Sequence, residues 1–186
     1  MVRESFKDRE DSDLVEASVG GDKQAFGEIV NRYQNMVART VKGMLGDTVL
    51  SEDIGQEVFI KLYHSLPEFR GEARLSTYIQ KMAVNFSLNE IRRRKRFMSM
   101  FALKENAELR EIEFASGDEE KRSDALELVN KALMRLDPKF RIIVVMRLLQ
   151  GYSTRETAEI LDLPVGTVLS RLSRAQEQLK IIMKKL

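Results

Sequence analysis

The sequence predicts an all-α protein made of two small helical domains joined by a flexible acidic linker. Apolar residues recur at intervals of three and four, as on one face of an α-helix, and no stretch alternates as a strand does. Residues 97–123 lose this pattern, and residues 97–124 contain eight acidic side chains against four basic ones. We therefore expect a frayed tail over residues 1–11, domains over residues 12–96 and 124–186, and a linker between them.

Four helices are predicted in the first domain. Asp13 can cap a short helix that ends at Gly20-Gly21, and Asp22 caps a long helix that Gly46 closes. The long helix carries an unbroken apolar stripe, which consists of Phe26, Ile29, Val30, Tyr33, Val37, Val41 and Met44.

The third helix is expected to begin at Ser51 and to end at Pro67, with Ile54, Val58, Phe59 and Leu62 on its core face. After a loop, Ser76 can cap a fourth helix that runs into the basic stretch Arg92–Arg96. The fourth helix should pack through Ile79, Met82, Ala83 and Phe86. A unit of this size is about the smallest that folds alone.

The second domain opens with a helix from Asp124, whose apolar residues are Leu126, Val129, Leu133 and Leu136. Asp137-Pro138 then offers an N-cap followed by proline at the first helical position. This next helix should end at Gly151 and bury Ile143, Val144 and Leu148.

Two helices joined by a tight turn complete the second domain. Ser153 and Glu156 form a capping box, and Asp162-Leu163-Pro164 ends the first of the two helices. The second carries an apolar stripe of Val165, Val168, Leu172, Ala175, Leu179 and Ile182, opposite a polar side of Thr167, Ser170, Arg171, Arg174 and Gln178. This pattern indicates a helix-turn-helix that reads a DNA major groove, although the polar face of an ordinary surface helix would look the same.

Composition argues against catalysis and metal binding. The net charge is only +2, there is no cysteine, and His64 is the single histidine. Neither a glycine-rich phosphate loop nor a nucleophile elbow occurs. With no apolar run of membrane-spanning length and no signal-peptide pattern, we expect a cytoplasmic protein that is not an enzyme and uses no cofactor or metal.

Several motifs in one order resemble the extracytoplasmic-function (ECF, group IV) sigma factors of bacterial RNA polymerase. They are Gly21–Phe26 (GDKQAF), Ser51–Phe69 (SEDIGQEVFIKLYHSLPEF), Leu75–Asn85 (LSTYIQKMAVN) and Leu136–Ala175. The resemblance covers nearly the whole chain and implies a sigma region 2 domain followed by a sigma region 4 domain. It is far more specific than the helix-turn-helix alone.

The resemblance implies two contacts for the first domain. One face of the third helix would dock onto a coiled coil of the polymerase's largest subunit, through Asp53, Gln56, Glu57, Ile60 and His64. The loop and fourth helix would hold the −10 element as single strand, through Phe69, Asn85, Asn89, Arg92, Arg93, Arg94, Lys95 and Arg96. Two alternatives stay open, because the helix face could simply be solvated and Phe69 could be a core residue beneath the loop.

In the second domain the resemblance assigns recognition of the −35 duplex to Thr167, Ser170, Arg171 and Arg174. Two residues depart from the family. Tyr78 stands where many members carry tryptophan, and Leu169 stands where many carry lysine or arginine. Leu169 could widen the apolar core at the edge of the stripe, which would remove one contact to DNA.

The implied function is a subunit that binds core RNA polymerase, recognises promoter DNA at its −10 and −35 elements and initiates transcription. An anti-sigma factor is an implied partner, and the acidic linker would thread a basic channel of the polymerase or act as a plain tether. The alternative function is a stand-alone helix-turn-helix repressor or activator, in which residues 13–96 serve as a sensor or dimer domain.

Overall fold

The protein is all-α in the part that the structure, a computed structural model, describes. The described residues are 6–105 and 124–186, and within these ranges there is no strand. The helices are α1 (Asp11–Val19), α2 (Lys23–Leu45), α3 (Val49–Ser65), α4 (Leu75–Glu105), α5 (Asp124–Arg135), α6 (Pro138–Val144), α7 (Thr154–Leu161) and α8 (Val165–Met183). The predicted all-α fold class is confirmed.

Three predicted helix starts are confirmed by their hydrogen bonds. The carboxylate of Asp22 accepts from two backbone N–H groups of α2, at 2.8 and 3.2 Å, and that of Asp137 accepts from one in α6 at 2.9 Å. At the start of α7, the Glu156 N–H donates to Ser153 Oγ at 3.2 Å, and the Ser153 N–H donates to Glu156 Oε2 at 2.7 Å. Both halves of the predicted capping box are therefore present.

The predicted start of α3 at Ser51 is wrong by two residues, because the helix begins at Val49. Thr48 is the N-cap, and its Oγ1 accepts from the Ser51 N–H at 3.3 Å, while Ser51 Oγ accepts from the Thr48 N–H at 3.2 Å. Serine thus replaces the usual Glu or Gln at the third position of a capping box. The earlier start places Val49 and Leu50 in the first turn of the helix.

The ends of the first domain also differ from expectation. Residues 6–8, expected in a frayed tail, form a 3-10 turn, and Arg32 of α2 donates to the carbonyl oxygens of Phe6 and Lys7, both at 3.0 Å. Helix α4 continues past the basic run, so residues 97–105 of the predicted linker are helical. The rest of that linker lies outside the described residues. None of the described helices combines the length and apolar character needed to span a membrane.

A π turn after α6 changes which side chains are buried. Val145–Leu149 form this turn, in which Val145 and Met146 are buried but Leu148, expected in the core, is exposed. A π turn adds a residue to the helical repeat, so the side chains that follow are rotated relative to a continuous α-helix. Val129 of α5, also expected on a core face, is likewise exposed, whereas Leu133 is buried.

Helices from both predicted domains share one hydrophobic core in this structure. Its buried members include Val41 and Met44 of α2, Ile79 of α4, Ile143 of α6, Met146 of the π turn and Val168 of α8. A smaller cluster lies within the second domain and consists of Leu133, Leu136, Phe140, Val144 and Ala175. The two domains therefore dock through apolar surface, which is the largest favourable contribution to packing.

Buried polar groups connect the same two domains. The hydroxyl of Thr40 accepts from Gln80 Nε2 at 2.7 Å and from Gln150 Nε2 at 2.9 Å, while it donates to the Met36 carbonyl at 3.0 Å. Thr40 and Gln80 are completely buried. Such a network fixes one relative position of the helices, because each misplaced group would lose a partner that water cannot replace.

A buried arginine extends this connection. The guanidinium of Arg141 in α6 donates to the carbonyl oxygens of Met44 at 2.5 Å, Met134 at 2.5 Å and Leu136 at 2.9 Å. Burial lowers the pKa of Arg141 to about 10, so the side chain remains a cation at neutral pH. Arg141 of the second domain therefore satisfies one carbonyl group at the end of α2 and two near the end of α5.

Helix α2 packs tightly against the second domain at a glycine. A Cβ built on Gly43 would lie 2.9 Å from Val145 Cγ2, whereas one built on Gly27, in the same helix, would meet nothing within 4 Å. Valine is short and stiff at χ1, so Val145 has little freedom to withdraw. The docking of the two domains thus depends on the missing side chain at Gly43.

We predict that Gly43→Ala lowers the free energy of unfolding by about 1–3 kcal/mol, because the added methyl overpacks the contact with Val145. The matched variant Gly27→Ala should instead raise it by about 0.5–1 kcal/mol, through helix propensity alone. Urea denaturation followed by circular dichroism measures both. When Val145 is already replaced by alanine, Gly43→Ala should lower the free energy of unfolding by less. An equal loss with and without Val145→Ala would contradict this contact.

Candidate nucleic-acid and polymerase interfaces

The face of α3 expected to bind polymerase is exposed. Asp53, Gln56, Glu57, Ile60 and His64 all lie at the surface, while the opposite face of α3 is buried through Ile54, Val58 and Leu62. Ile60 is 58% exposed and is the one apolar member of the five. The ring of His64 lies edge-on to Tyr63, with centroids 5.7 Å apart. The structure therefore brings these five residues together on one accessible helix face.

The loop between α3 and α4 is anchored by a pair of aromatic rings. Phe69 is half-buried, packs against the shared core and lies 5.0 Å from the ring of Tyr78, with the ring planes tilted by 44°. Tyr78 also packs against this core, so the tyrosine fills the position of the family's tryptophan with its ring. This geometry favours the alternative in which Phe69 supports the loop from beneath.

Two asparagines of α4 are accessible to a ligand. Asn85 and Asn89 are exposed on the outer face of the helix. The side chain of Arg92 donates to Asn89 Oδ1 at 3.1 Å, so the amide and the guanidinium hold each other one turn apart. Asn85 and Asn89 thus present amide groups next to the start of the basic run.

The basic run contains a counter-charge that sequence reasoning missed. Glu90 is only 5% exposed and accepts from Arg93 Nε at 2.6 Å and from Arg94 Nε at 3.0 Å. Burial by itself raises the carboxyl pKa of Glu90, but the hydrogen bonds and charges of Arg93 and Arg94 outweigh it and hold the pKa below its ordinary value. The spacing of three and four residues could have revealed these pairs.

Glu90 divides the predicted basic track into two groups. Arg93 and Arg94 form ion pairs with Glu90, although Arg93 is itself exposed, and Arg92, Lys95 and Arg96 are exposed as well. Glu57 of α3 lies close enough to Arg93 to help raise the arginine's pKa, although the hydrogen bond that Arg93 donates to Glu90 is the larger cause. The acidic face of α3 and the basic end of α4 are therefore neighbouring surfaces.

The expected recognition helix, α8, presents its polar side to solvent. Ser170 and Arg174 are exposed, and Thr167 and Arg171 are half-buried. Ser170 Oγ donates to the Thr167 carbonyl at 3.1 Å, which leaves the hydroxyl oxygen as an acceptor. No acidic residue lies in the first turn of α8, so its positive dipole end is not offset there.

Two apolar residues of α8 do not lie where the sequence suggested. Val165, expected in the apolar stripe, is exposed, and Leu169 is 52% exposed and belongs to neither core cluster. The idea that Leu169 widens the core is therefore wrong. Val168 and Ala175 make the buried row, and positions 165 and 169, four residues apart, form a separate row directed away from it.

The turn between α7 and α8 is tied to the first domain. Asp162, the C-cap of α7, adopts a left-handed conformation with φ of 49°, which aspartate tolerates better than most residues. The ammonium of Lys81 in α4 lies 3.0 Å from its carboxylate. Because Asp162 is exposed, this ion pair orients the turn more than it stabilises it. Within residues 6–105 and 124–186, no cluster of potential metal ligands occurs.

We predict that Glu90→Gln lowers the free energy of unfolding by about 0.5–1 kcal/mol at pH 7, because both ion pairs with the arginines are lost. The folded-state pKa of Glu90 is lowered, so its stabilisation is present above the ordinary carboxyl pKa and disappears as pH falls through the folded value. Urea denaturation at pH 7 and pH 3 measures this. The variant Glu159→Gln, at an exposed glutamate, serves as control. If Glu90→Gln remains less stable than the wild type by the same amount at pH 3, the loss of stability does not come from the ionised carboxylate.

Family models match the two halves of the chain separately. Sigma-70 region 2 matches residues 29–97, and Sigma-70, region 4 matches residues 126–179. The first match covers most of α2, all of α3 and most of α4, and the second covers α7 and most of α8. The order of the two matches is the order expected from the sequence motifs.

Curated relatives and solved structures agree with these matches. The chain is 37% identical to the ECF RNA polymerase sigma-E factor of Haemophilus influenzae, over 91% of this chain and 93% of the relative. It is 32% identical to the ECF RNA polymerase sigma factor SigW of Bacillus subtilis, over 86% and 89%.

Two solved structures share the fold. CnrH in complex with the cytosolic domain of CnrY matches with a TM-score of 0.66 at 22% identity, over 94% of this chain and 97% of that one. The sigma factor RpoE of Bartonella quintana, in complex with the anti-sigma factor NepR, matches with 0.68 at 19%, over 86% and 96%. Together with the curated relatives, these findings show that the chain belongs to the extracytoplasmic-function sigma factors of RNA polymerase.

Proposed function

We propose that this protein is an alternative promoter-specificity subunit that binds core RNA polymerase, recognises the −10 and −35 elements of a promoter and initiates transcription in the cytoplasm. The observation that supports the proposal most is that two sigma-70 regions, region 2 and region 4, match this chain in that order. The matched segments include the helices whose exposed faces are described above. Its chemistry is binding and strand separation, with no covalent step.

The face of α3 is the proposed contact with core polymerase. Interfaces commonly place an apolar anchor within a polar rim, and exposed Ile60 flanked by Asp53 and Glu57 has this composition. The two carboxylates would steer the helix toward a basic partner surface. Because Ile60 is 58% exposed in the free protein, covering it in a complex would remove apolar surface from water and so favour binding.

The exposed side of α4 is the proposed contact with the −10 element. Amide groups such as those of Asn85 and Asn89 hydrogen-bond to the edges of unstacked bases, and exposed cations such as Arg92, Lys95 and Arg96 neutralise the phosphate backbone. Since Phe69 is half-buried, we propose that it shapes the loop that receives the strand and offers only its accessible edge to a base.

Helix α8 is the proposed reader of the −35 duplex. Recognition helices contact base edges with their N-terminal residues, and the polar side chains Thr167, Ser170, Arg171 and Arg174 occupy the first three turns of α8. Arg174 is exposed and is the better placed of the two arginines to reach a base. A bidentate contact from arginine to guanine contributes about 1–3 kcal/mol of discrimination.

We also propose that an anti-sigma factor controls this protein. Two structures with the same fold are complexes, one of them with an anti-sigma factor by name. In this chain the faces proposed for polymerase and for promoter are exposed, so a partner can cover them. The acidic linker remains proposed either to thread a basic channel of the polymerase or to tether the domains.

The experiment that tests the function is binding of the purified chain to core RNA polymerase, followed by run-off transcription from a panel of genomic promoters. Saturable binding and initiation at sites that core polymerase does not use alone would support it. Tight duplex binding by the free chain without core binding would instead favour a stand-alone helix-turn-helix regulator.

We predict that Arg174→Ala lowers run-off transcription at least tenfold while the affinity for core polymerase stays unchanged, because the side chain contacts only promoter DNA. The control is Arg155→Ala, which removes an equally exposed arginine from α7. Transcription and core binding are measured with the same preparations. Loss of core binding in Arg174→Ala would show that the two faces are assigned the wrong way round.

We predict that the charge reversals Asp53→Lys and Glu57→Lys together weaken core binding at least tenfold. Their effect on the free energy of unfolding should stay below about 1 kcal/mol, because both side chains are solvated in the free protein. The same reversals at exposed Asp13 and Glu16 of α1 control for the change in net charge. Core affinity is measured by titration of labelled polymerase, and equal affinities for the two double variants would refute the assignment of this face.

A further inference from the structure

Leu169 is an apolar side chain in the first two turns of α8, beside the polar side of this helix that is proposed to read DNA. It is 52% exposed and lies outside both hydrophobic clusters in the described part of the chain. Exposed leucines also occur at Leu148 and Leu149, so exposure alone assigns nothing. What distinguishes Leu169 is its place near the start of α8, about 100° around the helix from Ser170, at the edge of the polar side and outside the buried row of Val168 and Ala175.

The direction of the side chain places it toward the start of the helix. Side chains of an α-helix lean toward its N-terminus, so Leu169 covers the turn that contains Val165 and Gly166. Val165 is exposed, and Gly166 has no side chain to screen its neighbour. These three residues form an apolar patch on the first turns of α8, and the N-terminal part of a recognition helix is the part that meets base edges.

The major groove offers a defined partner for such a patch. Its base edges present hydrogen-bond donors and acceptors, together with one apolar group, the C5-methyl of thymine. A leucine cannot hydrogen-bond to any of the polar groups and would leave them unpaired if it displaced their water. The thymine methyl is the group that leucine can contact without this cost.

We propose that Leu169 is a specificity-determining residue, which reads the C5-methyl group of a thymine within the −35 element. The inference rests on the proposed function and adds the chemical class of one recognised base. Arg174, five residues further along α8, would read or hold another position of the element, so that the apolar and the charged side chain contact different bases.

The test uses the complete protein bound to core polymerase, with promoters that carry each of the four bases at each −35 position. The wild-type chain should prefer thymine, on either strand, at one position. Replacement of that thymine by uracil, which removes only the methyl, should lower run-off transcription about three- to fivefold, the factor that corresponds to about 0.8 kcal/mol for one buried methyl-sized group.

The variant Leu169→Ala should lose this dependence, so that thymine and uracil templates differ by less than about twofold, while the base preferences at other positions persist. The control variant Ile181→Ala removes an equally exposed apolar side chain from the far end of α8 and should retain the wild-type response. If uracil lowers run-off transcription by the same factor with the wild type and with Leu169→Ala, the inference is overturned. Contact with a protein partner is then the remaining role for the exposed Leu169.

Failure of the inference and failure of the proposed function are distinguishable. If the wild-type holoenzyme initiates at specific promoters but shows no methyl dependence at any −35 position, only the role of Leu169 is refuted. If the wild-type chain supports no promoter-specific initiation, the proposed function falls, and the role of Leu169 falls with it.

Discussion

The close approach of α2 to the π turn of the second domain is the constraint on which the rest of the structure depends. Gly43 lets Val145 pack against the backbone of α2, and the shared apolar core closes around this contact. The polar contacts that join the domains, from Gln150 to the hydroxyl of Thr40 and from Arg141 to the Met44 carbonyl, involve residues of α2 within one turn of Gly43. Each needs the short distance between the domains, because a buried hydrogen bond fails when its partner moves by even an ångström.

This packing uses the inner faces of the helices and leaves their outer faces accessible. The buried side chains of α3 pack into the core, so the opposite side of the helix, with Ile60 at its centre, remains at the surface. The same holds for α8, where Val168 faces inward and Ser170 faces outward. In both helices the 3.6-residue repeat separates a stabilising face from a face available for binding, so substitutions on the outer face should alter function more than stability.

Local patterns predicted the elements that depend on neighbouring residues in the chain. The caps at Asp22, Asp137 and Ser153 were predictable because a cap needs only residues within one turn. The start of α3 was not, since Thr48 and Ser51 are both good caps, and the earlier start is the one that places Leu50 in the helix and against the core. Leu148 was misplaced because the π turn that rotates it leaves no signature in the hydrophobic pattern.

The sequence by itself determined the all-α class, the helix-turn-helix and the family, because periodicity, capping and motif order are properties of short segments read in sequence. Exposure was decided only by the tertiary structure. It placed Leu169 in solvent, Phe69 against the core, and Glu90 beneath two of the five cations of the basic run. Burial depends on what lies across from a residue in space, and those neighbours come from helices distant in the chain, so the sequence pattern of one helix cannot supply them.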